Sequence, residues 1–393
     1  MRQKKSAEFY SEADQLIDNQ AFVESVSEYF KEIKDPRVED NQSYSLPHLL
    51  VMILCAILAG ANTIIDIHMY AKLKIEMFTR LLGVKKAPSY DVFWWLLTRL
   101  DPKNIESCFI NWIQSLPESD QSKLIAIDGK RVRGTYKKSK IHLVSAWESN
   151  RSFLLGQVKT DVKSNEITAI PELLESLDIK DATITIDAAG CQTEIVKKIR
   201  ENGGNYLITL KGNQGTLHAE AENFFNQARS FGYEEAECET LLSAEKGHGR
   251  IEERQVVITN NLKWLDCCEK WKDLTSMLEV TSRRTIKGKT TEARRFFISN
   301  LKLTPKLAGE IVRSHWSVEN RLHWNMDVNF KEDASLAATG YAADNLAILR
   351  RLASTLIRID LGGVRGTANR RRQAAWDDSW TIRLLSRIFE IEV

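Results

Sequence analysis

Two short apolar runs in this chain end the same way, and they constrain its fold more than any other feature. Leu124-Ile125-Ala126-Ile127 is followed by Asp128, and Thr183-Ile184-Thr185-Ile186 by Asp187. Each run reads as a buried strand that delivers one carboxylate and then breaks at small residues, Gly129 in one case and Ala188-Ala189-Gly190 in the other. A buried carboxylate is costly unless it is paired or meets a cation. Two of them at strand ends point to a divalent-metal site, and such sites perform phosphate chemistry.

The flanking sequence predicts an α/β core. Leu124–Val132, Ile141–Trp147 and Phe153–Thr160 read as strands joined by short turns, an antiparallel meander. A helix ending near Leu177 follows, with Pro171 near its start or at a kink. Then come strand Thr183–Ile186, helix Thr193–Asn202 with a Gly203-Gly204 stop, and strand Tyr206–Leu210. The order βββαβαβ makes a mixed sheet, and right-handed crossovers place the Asp187 strand near its centre. Residues 216–305 break the alternation. They carry strand-like pieces at Arg254–Ile258, Ser276–Arg283 and Glu292–Ser299, and the span is too long for a loop, so it reads as an inserted β-rich subdomain. Residues 6–117 carry helical periodicity, which returns at Pro305 and dominates the rest. The expected domains are therefore 1–117, helical; 118–215, the first part of the core; 216–305, the insertion; and 306–393, helices that complete the core and end the chain.

Composition excludes more than it selects. At 43% hydrophobic and 27% charged residues the chain is ordinary for a soluble globular protein, and a net charge of +2 means that any basic surface is local. The six cysteines form no CxxC pair and lack zinc-ligand spacing, so they read as reduced thiols that pack as small hydrophobes. The N-terminus has no apolar signal core, and Leu49–Ala61 is shorter than the ~20 residues a membrane span needs. A cytoplasmic protein with no membrane partner is expected.

The segment Arg313-Ser314-His315-Trp316-Ser317-Val318-Glu319-Asn320-Arg321-Leu322-His323-Trp324 is unusual for a helix. Spacing of four puts His315, Glu319 and His323 on one face, with Trp316, Asn320 and Trp324 on an adjacent stripe. Two helical turns, about 12 Å, separate the histidines, too far to share one zinc ion directly. Basic residues suited to phosphates follow the strand ends: Lys130, Arg131 and Arg133 after Asp128, and Lys211 before the Gly212-Asn213-Gln214 turn. With His248, Arg250 and Arg254 in the insertion they read as a clamp on a nucleic-acid backbone. The Arg365 and Arg370-Arg371-Arg372 cluster is either a further contact or a merely soluble tail.

Six blocks, in order, carry a family likeness. They are Ala126-Ile127-Asp128-Gly129-Lys130, Lys163-Ser164-Asn165-Glu166-Ile167, Asp187-Ala188-Ala189-Gly190-Cys191-Gln192, Lys211-Gly212-Asn213-Gln214, His248-Gly249-Arg250, and His315 to Asn320 continuing through Leu322-His323-Trp324 and Asp327-Val328. Over nearly its whole length the chain resembles the DDE insertion-sequence transposases, most nearly the branch containing the H-repeat-associated proteins. The resemblance implies a ribonuclease H-like core and a catalytic triad of Asp128, Asp187 and Glu319. These would also be the ligands of two Mg²⁺ (or Mn²⁺) ions, with Asp128 bridging both. It implies strand cleavage and strand transfer on double-stranded DNA, at terminal repeats and target, by a homodimer on the DNA. The Tyr, Arg and Lys of a last-helix signature seen in related transposases are replaced here by Val312, His315 and Met326. Arg313 and His315, with Trp316, Asn320 and Trp324, are then the expected DNA contacts of that helix.

Glu166 and Asp327 are rival third carboxylates. Glu166 also reads as part of a helix start after Ser164-Asn165, and Asp327 as the partner of a nearby base. Three other functional readings stand beside the transposase: an inert relic that only binds DNA, a ribonuclease H-like nuclease without strand transfer, and a hydrolase of small phosphoesters.

Overall fold

The computed structural model describes residues 19–37, 43–116, 123–132, 142–160, 166–247, 249–266, 268–359, 366–386 and 389. Arg133, the 137–140 turn, Lys163-Ser164-Asn165, His248, Cys267 and Arg365 lie outside them. Among the described residues six helices come first: α1 (Asn19–Tyr29), α2 (Leu46–Leu58), α3 (Ile64–Leu73), α4 (Ile75–Leu82), α5 (Tyr90–Arg99) and α6 (Pro102–Ser115). The α/β region follows as β1 (Leu124–Arg131), β2 (His142–Glu148), β3 (Phe153–Thr160), α7 (Glu166–Glu175), β4 (Thr183–Ile186), α8 (Thr193–Glu201), β5 (Asn205–Leu210) and α9 (Gly215–Phe231). Then come β6 (Cys238–Gly247), β7 (Arg250–Thr259), β8 (Ser276–Ile286), β9 (Lys289–Ser299) and α10 (Pro305–His315). A π-helical stretch (Val318–His323), α11 (Trp324–Val328), α12 (Ala342–Ile359), α13 (Thr367–Trp376) and α14 (Asp378–Ser386) close the chain. Among the described residues no helix is long and apolar enough to cross a membrane.

The chain divides into two compact units. One comprises residues 1–117, 131–141 and 323–393, and the other residues 118–130 and 142–322. The helices beyond His323 therefore group with the N-terminal helices, where the sequence reading had them completing the catalytic core.

The helical unit has local causes. Helix α2 is apolar all round, as a fully buried helix must be, and Ser45 caps it by accepting the His48 N–H at 3.3 Å. Helix α3 starts at a capping box in which Thr63 and Asp66 satisfy each other's backbone N–H groups. The late helices reach the early ones through buried polar side chains. Asn345 of α12 donates to the carbonyls of Leu97 and Leu100 at 2.9 and 2.8 Å, closing the C-terminal end of α5. Arg350 donates to the Asn62 carbonyl and Arg371 to the Ile57 carbonyl, both at 2.9 Å, in the last turn of α2 and the loop that follows it. Burial pushes both guanidinium groups down to about 10. Arg371 is thus neither a tail charge nor an exposed DNA contact: it is a buried strut, stacked 4.3 Å from the Phe330 ring centroid. Arg351 and Glu332 form an ion pair with no solvent exposure on either side chain.

The second unit is built on one nine-stranded mixed sheet in the order β3-β2-β1-β4-β5-β9-β8-β7-β6. Strands β1, β4 and β5 are parallel, and β2 and β3 form an antiparallel hairpin. The first five strands have the 3-2-1-4-5 arrangement of a ribonuclease H-like core, as expected. All four β4 residues are buried, the two threonines as well as the two isoleucines. The insertion is not a separate sheet. Strand β9 pairs antiparallel with β5, from Leu207↔Ser299 to Leu210↔Phe296, so β6–β9 extend the core sheet. The sequence reading also passed over α9 and β6. Strand β6 is exposed at every residue but Cys238, so no buried face marks it. Helix α10 lies on this extension: Ala308 and Ile311 pack against Leu207, Val256, Leu278, Val280 and Phe297.

Removing one member of a buried ion pair leaves an uncompensated charge, typically worth about 3–5 kcal/mol. Glu332→Gln is therefore expected to lower the urea unfolding midpoint strongly. The apolar double replacement Glu332→Leu/Arg351→Met recovers most of the loss, and a single variant with a wild-type midpoint would contradict this account.

Candidate active site

The parallel pairing of β1 with β4 brings the two strand-end aspartates together. Ile127 pairs with Ile186, the last pair of that ladder, so Asp128 and Asp187 lie just beyond it at the C-terminal edge of β4, the edge where open α/β sheets place their sites; β1 does not break at Gly129 but runs on to Arg131. Asp187 is fixed by its own loop: Oδ1 accepts the Ala189 N–H at 3.0 Å and caps the tight turn Ala188–Gly190. That turn is held from β5. Asn213 Nδ2 donates to the Ala188 carbonyl at 2.7 Å, and Gln214 Nε2 to the Cys191 carbonyl at 2.9 Å. The Lys211-Gly212-Asn213-Gln214 block is thus a brace for the Asp187 loop.

Glu319 arrives from α10. Thr304 caps that helix by accepting the Leu307 N–H at 3.4 Å. Beyond His315 the helix loosens into the π-helical stretch that carries Glu319, a local widening common at functional sites. Three serines tie this junction to the β2–β3 hairpin. Trp147 Nε1–H donates to Ser317 Oγ at 3.0 Å, Ser317 Oγ lies 2.9 Å from Ser149 Oγ, and Ser149 Oγ–H donates to the Ser314 carbonyl at 3.1 Å. Arg321 adds a bond to Ser152 Oγ at 2.9 Å. The π turn also corrects one expectation. His315, Glu319 and His323 do not share a face: His315 and Glu319 line the cleft, whereas His323 is buried and takes no part in lining it. Spacing of four assumes 3.6 residues per turn, which the π stretch does not keep.

Asp128, Asp187 and Glu319 line one cleft of about 220 Å³, with Thr185, Lys211, Arg295, His315 and Trp316 among its other walls. Burial pushes the Asp128 carboxyl up to about 7, and the charges of Asp187, Glu166 and Glu319 push the same way, against a bond from the Gly129 N–H. Burial also lowers His315, opposed by the Asp187 charge and by a backbone hydrogen bond with Thr185; its Nδ1 lies 3.0 Å from Thr185 Oγ1. Glu166 does not line the cleft. Its Oε1 is bonded to His142 Nε2 at 2.7 Å, and a Cβ at position 129 would sit 2.1 Å from that oxygen. Gly129 is therefore the only residue type that lets the Glu166–His142 pair lie against β1 beside Asp128. Asp327 belongs to the other compact unit.

Among the described residues no three His, Cys, Asp or Glu side chains are gathered closely enough to hold a metal ion. The donor chemistry fits a hard divalent cation all the same: carboxylate oxygens line one cleft, and burial together with the neighbouring acidic charges raises Asp128.

The expected DNA contacts fall into three groups. Lys211, His315 and Trp316 line the cleft, and Asn320 is exposed one residue beyond Glu319. Arg250, Arg254 and Arg313 have acidic partners: Arg250 meets Glu252 at 2.6 Å, Arg254 also pairs with Glu252, and Arg313 grips Glu245 with both terminal nitrogens. Lys130 is buried in β1, and Arg131 and Trp324, both exposed, are counted in the other unit. His248 lies outside the described residues. Sequence reasoning missed Thr185 and Arg295. Arg295 stands 5.0 Å from the Trp316 ring centroid, and no local spacing signals a strand residue that reaches the site only through sheet pairing.

The strand order defines a ribonuclease H-like fold. Residues 119–356 match the family model described as Transposase DDE domain, and residues 27–113 match its DDE_Tnp_1-associated companion. The chain is 34% identical over 374 residues to the H repeat-associated putative transposase YhhI of Escherichia coli (strain K12), covering 93% of this chain and 98% of that protein. It is 35% identical over 360 residues to the putative transposase YncI of Escherichia coli O157:H7, covering 89% and 91%. A solved piggyBac transposase synaptic complex with hairpin DNA aligns over 95% of this chain and 78% of its own, with 11% identity and a TM-score of 0.45. The chain belongs to the DDE transposase family.

The raised Asp128 makes the metal-free protein pH-sensitive. Between about pH 4 and about pH 7 the folded chain keeps a proton that the unfolded chain has released, so this group's contribution to stability declines as pH rises through that window. Urea midpoints measured with chelator across pH 4–8 are expected to show that decline, and Asp128→Asn to remove it. A separate expectation concerns Gly129→Ala, whose methyl would displace Glu166 and His142. It should lower the unfolding free energy by about 1–3 kcal/mol, and unchanged stability would contradict the close approach.

Proposed function

We propose that this protein cuts DNA at the ends of an insertion sequence and joins the freed 3′ ends to a target, with Asp128, Asp187 and Glu319 as the catalytic carboxylates. The observation that carries the reading is the convergence of these three side chains on one cleft, from two parallel strand ends and a π turn far apart in sequence. Asp128, Asp187 and Glu319 are the residues that would hold the two Mg²⁺ or Mn²⁺ ions. Such ions, when bound, supply a stabilised nucleophile and leaving oxygen for displacement at phosphorus. The chain's own residues do the rest. Lys211 and the Arg295–Trp316 pair border the cleft where a phosphate and its nucleoside would enter, and Thr185 orients the His315 ring.

In the first step a water oxygen attacks the phosphorus and the 3′ oxygen leaves, taking up a proton to become a 3′-hydroxyl. In the second that hydroxyl oxygen attacks a target phosphodiester, and one P–O bond replaces another. Two copies of the chain on the paired DNA ends, in a bacterial cytoplasm, complete the proposal.

A plasmid carrying terminal repeats, incubated with Mg²⁺, tests it. Asp128→Ala, Asp187→Ala and Glu319→Ala should each reduce nicking to background, while Glu166→Ala keeps measurable cleavage. Loss with Glu166→Ala and retention with Glu319→Ala would transfer the third role to Glu166. Cleavage without any joined product would favour a nuclease. In parallel, Mg²⁺ should raise the melting temperature of the wild type and not of Asp128→Asn.

A further inference from the structure

The outer halves of β6–β9 form a blade whose residues beyond Ser243 are largely solvent-exposed on both faces. Strand alternation and register sort its charges. Val256, Val280 and Phe297 pack on α10, so the residues in phase with them share the face of α10 and the cleft. On that face stand Arg250, Arg254, Arg284, Lys289 and Arg295, against three acids, Glu239, Glu245 and Glu252. The opposite face is balanced: Lys246, Arg283 and Arg294 face Glu253, Glu279 and Glu292. The imbalance shows in the pairing. Glu252 alone meets Arg250 at 2.6 Å, Arg254, and Arg284 at 4.0 Å, so one carboxylate is shared by three guanidinium groups. The basic row ends at Arg295, which lines the cleft beside Trp316.

We infer that this face is a track for duplex DNA leading to the cleft, with Arg284 and Lys289 holding backbone phosphates away from the reacting one. The inference rests on the function proposed above and names where its substrate lies. From Lys289 to Arg295 the strand runs about 20 Å at about 3.4 Å per residue, which matches about six base pairs of duplex. Charge complementarity commits the face to a polyanion. An exposed sheet face carrying a surplus of arginine suits phosphates better than a protein partner, because exposed ion pairs exchange readily for phosphate contacts.

The test is binding of a fluorescent duplex of about 30 base pairs by the full chain across a salt series. Arg284→Gln/Lys289→Gln should weaken binding about tenfold and flatten the log–log salt dependence by about 2. The opposite-face pair Lys246→Gln/Arg283→Gln should stay within about twofold of wild type, and both double variants should melt as wild type does, since exposed substitutions rarely shift stability by more than about 0.5 kcal/mol. Equal weakening by both pairs, or wild-type binding by the Arg284/Lys289 variant, overturns the track while leaving the proposed function standing. A wild-type chain that binds no duplex at any salt overturns both.

Discussion

The carboxylate site depends on the parallel pairing of β1 with β4. Three buried residues of β1, Ile125 to Ile127, and four of β4 lock the register that leaves Asp128 and Asp187 adjacent at one sheet edge. Burial at that edge opposes ionisation of Asp128, the neighbouring carboxylates add to the effect, and its carboxyl is pushed up to about 7. The surroundings keep the arrangement in place: Gly129 admits the Glu166–His142 pair, and the Asn213 and Gln214 amides brace the Asp187 loop. Such crowding is unfavourable for folding by itself and is relieved by a bound cation or a proton. That is the mark of a site kept for chemistry.

The insertion has a structural task as well. Its strands extend the core sheet through the β5–β9 pair and offer the apolar surface on which α10 lies. Because α10 is seated there and its C-terminal end is stapled by Trp147, Ser149 and Ser317, the π stretch delivers Glu319 to the same cleft as the aspartates. A helix that merely continued past His315 would have turned Glu319 by a different angle. The third carboxylate is thus placed by long-range packing, and the two aspartates by strand register.

The core was legible to the degree that burial shapes sequence. Strand β4 is buried at every residue, and Thr183–Ile186 reads directly as a strand. Strand β6 is exposed almost throughout, carries no alternation that a core would impose, and passed unread. The arginine-rich C-terminal segment read as surface because arginine is seldom buried; Arg371 is instead held inside by helix-end carbonyls that only the fold supplies. Arg295 and Thr185 were invisible for the same reason: their neighbours in space are distant in sequence.

By itself the sequence determined the local pieces: the apolar strands ending in aspartate, the capped helices, the glycines and amides at the loop positions, and a family likeness spread over ordered blocks. Those features follow from backbone propensity and from the cost of burying charge, which act over a few residues. Only the tertiary structure decided which of the acidic side chains share a cleft, that His323 leaves the face predicted for it, and that the insertion is continuous with the core sheet. Strand order, a π turn and the seat of one helix set those outcomes, and each depends on contacts between residues far apart along the chain.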